Sequence, residues 1–222
     1  MKKLLLITSF LFILVGCSTD ETNYITVKGR VEREINGEGI SNQKVTVAIK
    51  QHHPNGQWSY STIVDSKEVT TDSNGNFSVS MKNASHTFVS VYKPQDDNYS
   101  SFERGFELSE DIVLKVNKFL KFKIYVNNTN PFDSNDQISI SFVSGNPQSF
   151  RTGIENFGIQ NAPNTASWIG TNVNSTVYYN VPENANEHKI VWYKRKNGVD
   201  TSGATPEIPF QENQINEYHF EY

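Results

Sequence analysis

From Tyr24 onward, apolar residues recur at every second position in short segments, and Gly, Asn and Pro interrupt them. Ile25, Val27, Val31 and Ile35 fall on one side of an extended chain, with Thr26, Lys28, Arg30 and Glu32 on the other. A period of two describes a strand with one buried face. The pattern returns at Val45/Val47/Ile49, Phe77/Val79/Met81, Leu120/Phe122/Ile124/Val126, Ile138/Ile140/Phe142, Val177/Tyr179/Val181 and Tyr218/Phe220/Tyr222. Asn36-Gly-Glu-Gly39 and the His53-Pro-Asn-Gly-Gln57 run are turn signals between such segments. No stretch carries the three-and-four spacing of an amphipathic helix, and one helical turn near Ser101–Glu110 is all the helix expected. Short strands joined by polar turns predict an all-β chain of antiparallel sandwiches.

The pattern divides near Val116–Phe119 without a Pro- or Gly-rich linker, so one strand is expected to lead directly into the next. The expectation is two tandem antiparallel β-sandwiches, residues 24–118 and 119–222. Between Ser144 and Asn174 the sequence is irregular, rich in Asn and Gly, and holds Pro147 and Pro163. His188–Arg195 is apolar on both faces, which suggests a central strand. The two halves show no convincing sequence repeat.

The beginning has a different logic. Met1-Lys2-Lys3 precedes the apolar run Leu4–Val15, then Gly16-Cys17, the layout of a secretory signal. The run is short of the roughly 20 residues that a membrane span needs. Leu14-Val15-Gly16-Cys17 resembles the lipobox of bacterial lipoproteins. That resemblance implies removal of residues 1–16, a diacylglycerol on the Cys17 sulfur, and acylation of its new amino group. Residues 17–23 then form a lipidated tether, and the partner is the membrane. Each buried methylene of such a lipid adds about 0.8 kcal/mol of anchoring. Cys17 is the only cysteine in 222 residues, so no disulfide is available and an ordinary apolar core must supply stability. Asp20 and Glu21 resemble the acidic patch that directs some outer-membrane lipoproteins to the cell exterior. The resemblance implies an outer-membrane, lipid-anchored protein facing outward.

A net charge of -4 lacks the basic stripe of a nucleic-acid binder. Val27-Lys-Gly-Arg-Val31, Gly37 to Val47 (GEGISNQKVTV) and Thr70 to Ser80 (TTDSNGNFSVS) together resemble the carboxypeptidase regulatory-like domain, over residues 25–92. The resemblance implies a seven-stranded transthyretin-like sandwich for the first half and a non-catalytic module. Asp72 suits a side chain that bonds its own turn, Gly75 a positive φ, and Phe77 a core anchor. The piece between Lys50 and Lys67 is longer than the family pattern and reads as an extra hairpin.

Candidate chemistry is sparse. His52 and His53 are adjacent and on a strand point to opposite faces, so they do not chelate together. Asp72-Ser-Asn-Gly-Asn76 lacks the later acidic residue of a calcium loop, and Phe132-Asp-Ser-Asn-Asp136 reads likewise as an oxygen-rich loop. No nucleophile elbow, phosphate loop or zinc-protease motif is present. Trp192 reads as core. Trp58 and Trp168 are the candidate ligand contacts, with core or rim packing as the competing reading. Neither metal nor cofactor is expected. The function expected is a non-catalytic surface binding or adhesion module for a glycan or another envelope protein. A structural or accessory subunit recognising protein by strand addition is the alternative, and an enzyme the third.

Overall fold

The computed structural model describes residues 23–56, 58–143, 149–156, 159–160 and 163–222. It is all-β among these residues. The first half contains β1 (Tyr24–Arg33), β2 (Lys44–Asn55), β3 (Trp58–Thr70), β4 (Asn76–Lys82), β5 (Thr87–Lys93), β6 (Phe102–Phe106) and β7 (Ile112–Val116). They form sheets of order β4-β1-β7 and β3-β2-β5-β6. Val27, Val31, Val45, Val47, Phe77, Met81, Val91 and Leu114 meet between the sheets in one core.

The second half contains β8 (Phe119–Asn127), β9 (Gln137–Phe142), β10 (Phe150–Ile154), β11 (Ile159–Gln160), β12 (Thr165–Ile169), β13 (Asn174–Pro182), β14 (Ile190–Lys196), β15 (Val199–Ala204) and β16 (Ile215–Glu221). Its sheets run β10-β13-β8-β16 and β11-β12-β9-β14-β15. Phe122, Ile124, Ile138, Ile140, Phe142, Trp168 and Tyr179 form its core. The alternating triplets of the sequence are buried here because each set lies on one side of a pleated strand.

The two halves share a topology that their sequences conceal. In each, the first strand is flanked by the fourth, antiparallel, and by the last, parallel: β4-β1-β7 and β13-β8-β16. In each, the second sheet runs third-second-fifth-sixth, all antiparallel: β3-β2-β5-β6 and β12-β9-β14-β15. The additions enter at the same connection, between the second and third strands. In the first half they lengthen the β2–β3 hairpin. In the second they contribute β10 and β11, one at the edge of each sheet.

Four details differ from the sequence expectations. The Ser101–Glu110 stretch is strand β6 followed by a turn, not helix, because Phe102 and Phe106 extend the β5 sheet. The irregular Asn-rich segment contains β10, β11 and β12. β14 is next to the sheet edge rather than central, and the central strand is β9. Ile35 is exposed, because β1 ends at Arg33 and the chain turns at once, with Gly37 at φ +70° and its N–H donated to the Arg33 carbonyl at 2.9 Å. Arg33 itself is the buried residue at the end of that face.

β7 ends at Val116 and β8 begins at Phe119, so two residues connect the halves. Around this joint the Arg33 guanidinium reaches across to Glu183, which is buried, and also to Glu38 and Glu212, each at 3.2 Å. The Lys118 backbone N–H donates to Glu183 at 3.1 Å, and the Asn117 amide donates to Glu34 at 2.8 Å. The hydrogen bonds to Glu183 dominate in raising the Arg33 pKa beyond its ordinary value, against the opposing effect of burial.

Candidate functional site: the open edge at β15

Lys194-Arg-Lys-Asn-Gly-Val199 folds as a tight hairpin. Asn197 and Gly198 hold φ of +50° and +68°, the two positive angles that a two-residue primed turn requires. The turn closes on the pair Lys196↔Val199. In such a hairpin the closing pair exchanges both backbone hydrogen bonds, and the alternation of an antiparallel ladder assigns the same to Lys194↔Thr201 and Trp192↔Gly203. The backbone N–H and C=O groups of Asp200, Ser202 and Ala204 therefore point away from β14, toward solvent.

All six residues of β15 are exposed. Natural sheet edges are commonly guarded by Lys, Pro, bulges or inward charges. Here the only charged side chain is Asp200, which Arg195 grips with two hydrogen bonds of 2.6 and 2.9 Å. That bidentate pair, with the Tyr193 hydroxyl as a further hydrogen-bond partner, holds the Asp200 carboxyl down to about 2. The same hydrogen bond to Asp200, with burial second, holds the Tyr193 hydroxyl above its ordinary value. The edge is thus neutralised from within its own sheet. The strand in the equivalent place of the first half, β6, instead presents exposed Glu103 and Arg104.

The inner side of the hairpin is firmly backed. The Trp192 ring lies across Gly203, so close that an added Cβ would stand 2.7 Å from it. Trp192 packs against the core beside Phe220, and the Lys194 ammonium sits 5.4 Å from the indole. At the tip, the Lys196 ammonium donates to the Asn128 side-chain oxygen at 2.8 Å and to the Asn130 carbonyl at 2.6 Å. An edge backed by a ring and pinned at its turn is presented rigidly.

The residues singled out in the sequence do not converge. Cys17, with Asp20 and Glu21, lies outside the described residues. Trp58 opens β3 at the far end of the β2–β3 hairpin, with only its backbone among the described atoms. Trp168 is 2 % exposed and belongs to the second core, which removes it as a ligand contact: β12 turns Ala166 and Trp168 inward together. Trp192, expected in the core, is half-buried at the hairpin. His53 stacks on the exposed Tyr60 with centroids 4.9 Å apart and pairs with Thr62 at 2.8 Å, on the β2–β3 arm. His188 is buried between Phe122 and Phe210, and His219 stacks on Tyr125.

Asp72 bonds the backbone N–H groups of Asn74 and Asn76, and Gly75 stands at φ +82°, as the turn reading expects. Asp72 also lines an open cleft of about 710 Å³ with Lys28, Arg30 and Asp111, but its oxygens serve the turn. The Asn197-Gly198 dipeptide, the strongest short hairpin signal in the second half, was the available pointer to the β15 edge.

No family model matches the chain, and no curated protein matches it. Solved structures with some likeness include the full-length major pilin SpaD from Corynebacterium diphtheriae, 11% identical with a TM-score of 0.33, covering 82% of this chain and 64% of that one. A streptococcal ancillary pilin is 10% identical, with a TM-score of 0.35, covering 91% of this chain and 63% of that one. A candidate cell-adhesion protein from Bacteroides ovatus is 11% identical, with a TM-score of 0.28, covering 90% and 92%. The chain spans less than two thirds of the length of the two pilins.

Proposed function

We propose that this chain is a non-catalytic accessory subunit of a surface protein assembly, and that it takes an extended segment of a protein partner onto β15. One observation carries the reading: an exposed edge strand with outward backbone groups at Asp200, Ser202 and Ala204 and no unpaired charge. Strand addition needs such groups, and it draws affinity from main-chain hydrogen bonds. The glycan reading loses one of its two aromatic anchors with the burial of Trp168. In this proposal Cys17 carries the lipid and residues 17–23 are the tether. The protein sits on the outer membrane facing the exterior, with residues 24–118 a regulatory-like module and 119–222 the module that presents the edge.

The test uses proline at an outward position. Ser202→Pro removes an N–H that β14 does not use, so the fold tolerates it as edge strands tolerate proline, while an incoming strand loses a hydrogen bond and meets the ring. With a photo-crosslinking residue at Ala204 in whole cells, the expected result is a protein adduct that disappears in the Ser202→Pro background. An adduct that persists in that background, or that forms equally with the probe at Lys121 on the other sheet, overturns the proposal.

A further inference from the structure

The second sandwich holds an amine, a carboxamide and a carboxylate in one cluster at the tip of the β14–β15 hairpin. Lys196 comes from the end of β14, Asn128 from the residue after β8, and Asp136 from the residue before β9. The Lys196 Nζ is 2.8 Å from Asn128 Oδ1. On the other side of the same amide, Asn128 Nδ2 donates to Asp136 Oδ2 at 3.1 Å. Asp136 is fully buried and Asn128 nearly so. The Tyr222 ring lies 4.9 Å from the Lys196 nitrogen, and its own buried hydroxyl has no hydrogen-bond partner.

We propose that Lys196 and Asn128 condense to an intramolecular isopeptide bond, with Asp136 as the catalytic carboxylate. The amine, after losing one proton to solvent, attacks Asn128 Cγ, and an Nζ–Cγ bond forms. Asp136 takes the second proton from Nζ and delivers it to Nδ2, the Cγ–Nδ2 bond breaks, and ammonia leaves. Ammonium plus carboxamide become secondary amide plus ammonium ion, so atoms and charge balance with no outside reagent. A nucleophile adjacent to its electrophile, with a carboxylate on the leaving group, has the proximity that such a step requires.

The surroundings favour it. Burial lowers the Lys196 pKa, opposed by the Asp136 charge and assisted by Lys194, so the neutral amine is more accessible than in water. Burial alone would raise Asp136, but the hydrogen bonds from Phe132 N–H, Asn128 and Asp133 N–H, with the Lys196 charge, bring it below its ordinary value. It therefore stands as a carboxylate, with Oδ2 on the leaving nitrogen. The other half supplies an internal control. Lys93 ends β5, the strand equivalent to β14, and its amine is buried more deeply than that of Lys196, but it meets the Pro94 carbonyl at 2.8 Å and the Asp96 carboxylate at 3.0 Å. These partners give an ion pair rather than a carboxamide to attack.

The bond would tie the loop after β8 to the turn of the edge hairpin, beside the end of β16, where the Thr129 N–H donates to the Tyr222 carbonyl at 3.1 Å. Force applied through a strand on β15 would then meet a covalent clasp. The experiment is peptide mapping of the full chain purified from cells. In the wild type, trypsin is expected not to cut after Lys196, and a branched peptide joining Asn128 to Lys196 should appear, lighter than its two parts by one ammonia. Lys196→Arg and Asp136→Asn should yield only linear peptides. Linear peptides with normal cleavage after Lys196 in the wild type overturn the proposal, whatever the variants do. A branched peptide undiminished in Asp136→Asn overturns the role given to that carboxylate.

Discussion

Arg33 shows how a single side chain escapes a pattern. Its position places it on the apolar face of β1, two residues beyond Val31, but its charge reads as solvent-facing. The structure buries it because Glu183 arrives from the other half of the chain, 150 positions away. No local pattern encodes that distance. Trp168 escaped for the opposite reason: its strand is short and flanked by polar residues, so its alternation with Ala166 was too brief to register. Phe77, Gly75 and Asp72 were legible because the turn that joins them is local. The partners of Arg33 also predict a pH effect. Arg33 and Lys118 hydrogen-bond Glu212 and hold its carboxyl below the ordinary range. A depressed folded-state pKa stabilises above the unfolded value, about 4.3, and the contribution is lost as pH falls through the folded value. Glu212 is 43% exposed, so solvent screening limits the effect to under about 1 kcal/mol. Glu212→Gln should therefore lower the urea midpoint slightly at pH 7 and converge on wild type only as pH falls through the depressed folded-state value of the carboxyl. A deficit that persists unchanged in acid would show that the charge is not what matters.

At the level of elements, the strands with long alternation were visible and the hairpin geometry was partly so. β4 and β16 lay where the alternation put them. The register of β15 against β14 was not legible, because Thr201-Ser-Gly-Ala204 has no apolar alternation; it is set by the Asn197-Gly198 turn and by Trp192 covering Gly203. Both halves place a glycine in the sixth strand under an aromatic ring, Gly105 by Phe88 and Gly203 by Trp192. The clearances differ. A Cβ on Gly105 would meet Phe88 at 3.4 Å, ordinary contact, whereas one on Gly203 would meet the indole at 2.7 Å. Trp192 is held by the core and Phe220, so it does not swing aside freely. Gly203→Ala should cost about 1–3 kcal/mol as overpacking and disturb the edge, while Gly105→Ala should be near neutral. Thermal melts of the two variants check this, and equal losses would refute the ring-cover account.

For the whole molecule, the repeated topology raises the question of whether the two sandwiches act singly or together. Each has its own core, and only Asn117 and Lys118 connect β7 to β8, so on burial alone each half would unfold by itself. What opposes this is the polar joint. Phe119 N–H donates to the Asn98 carbonyl at 2.7 Å, and the Asn180 amide to the Asp97 carbonyl at 3.1 Å. Arg33 of the first half and Glu183 of the second are both buried and paired with each other. Unfolding either half alone would strip one partner from a charge still held in its folded neighbour. Removing one member of a buried pair costs about 3–5 kcal/mol, enough to make the intermediate rare and the unfolding concerted. Calorimetry of the wild type should thus show one transition with matching calorimetric and van't Hoff enthalpies. Glu183→Ala abolishes the penalty for parting the halves and leaves Arg33 unpaired in the native joint. Its thermogram should resolve into two transitions, with the earlier one at lower temperature than the wild-type melt. A single shifted transition in Glu183→Ala would mean that the backbone link and the remaining hydrogen bonds suffice to couple the sandwiches, and that the buried pair serves orientation alone.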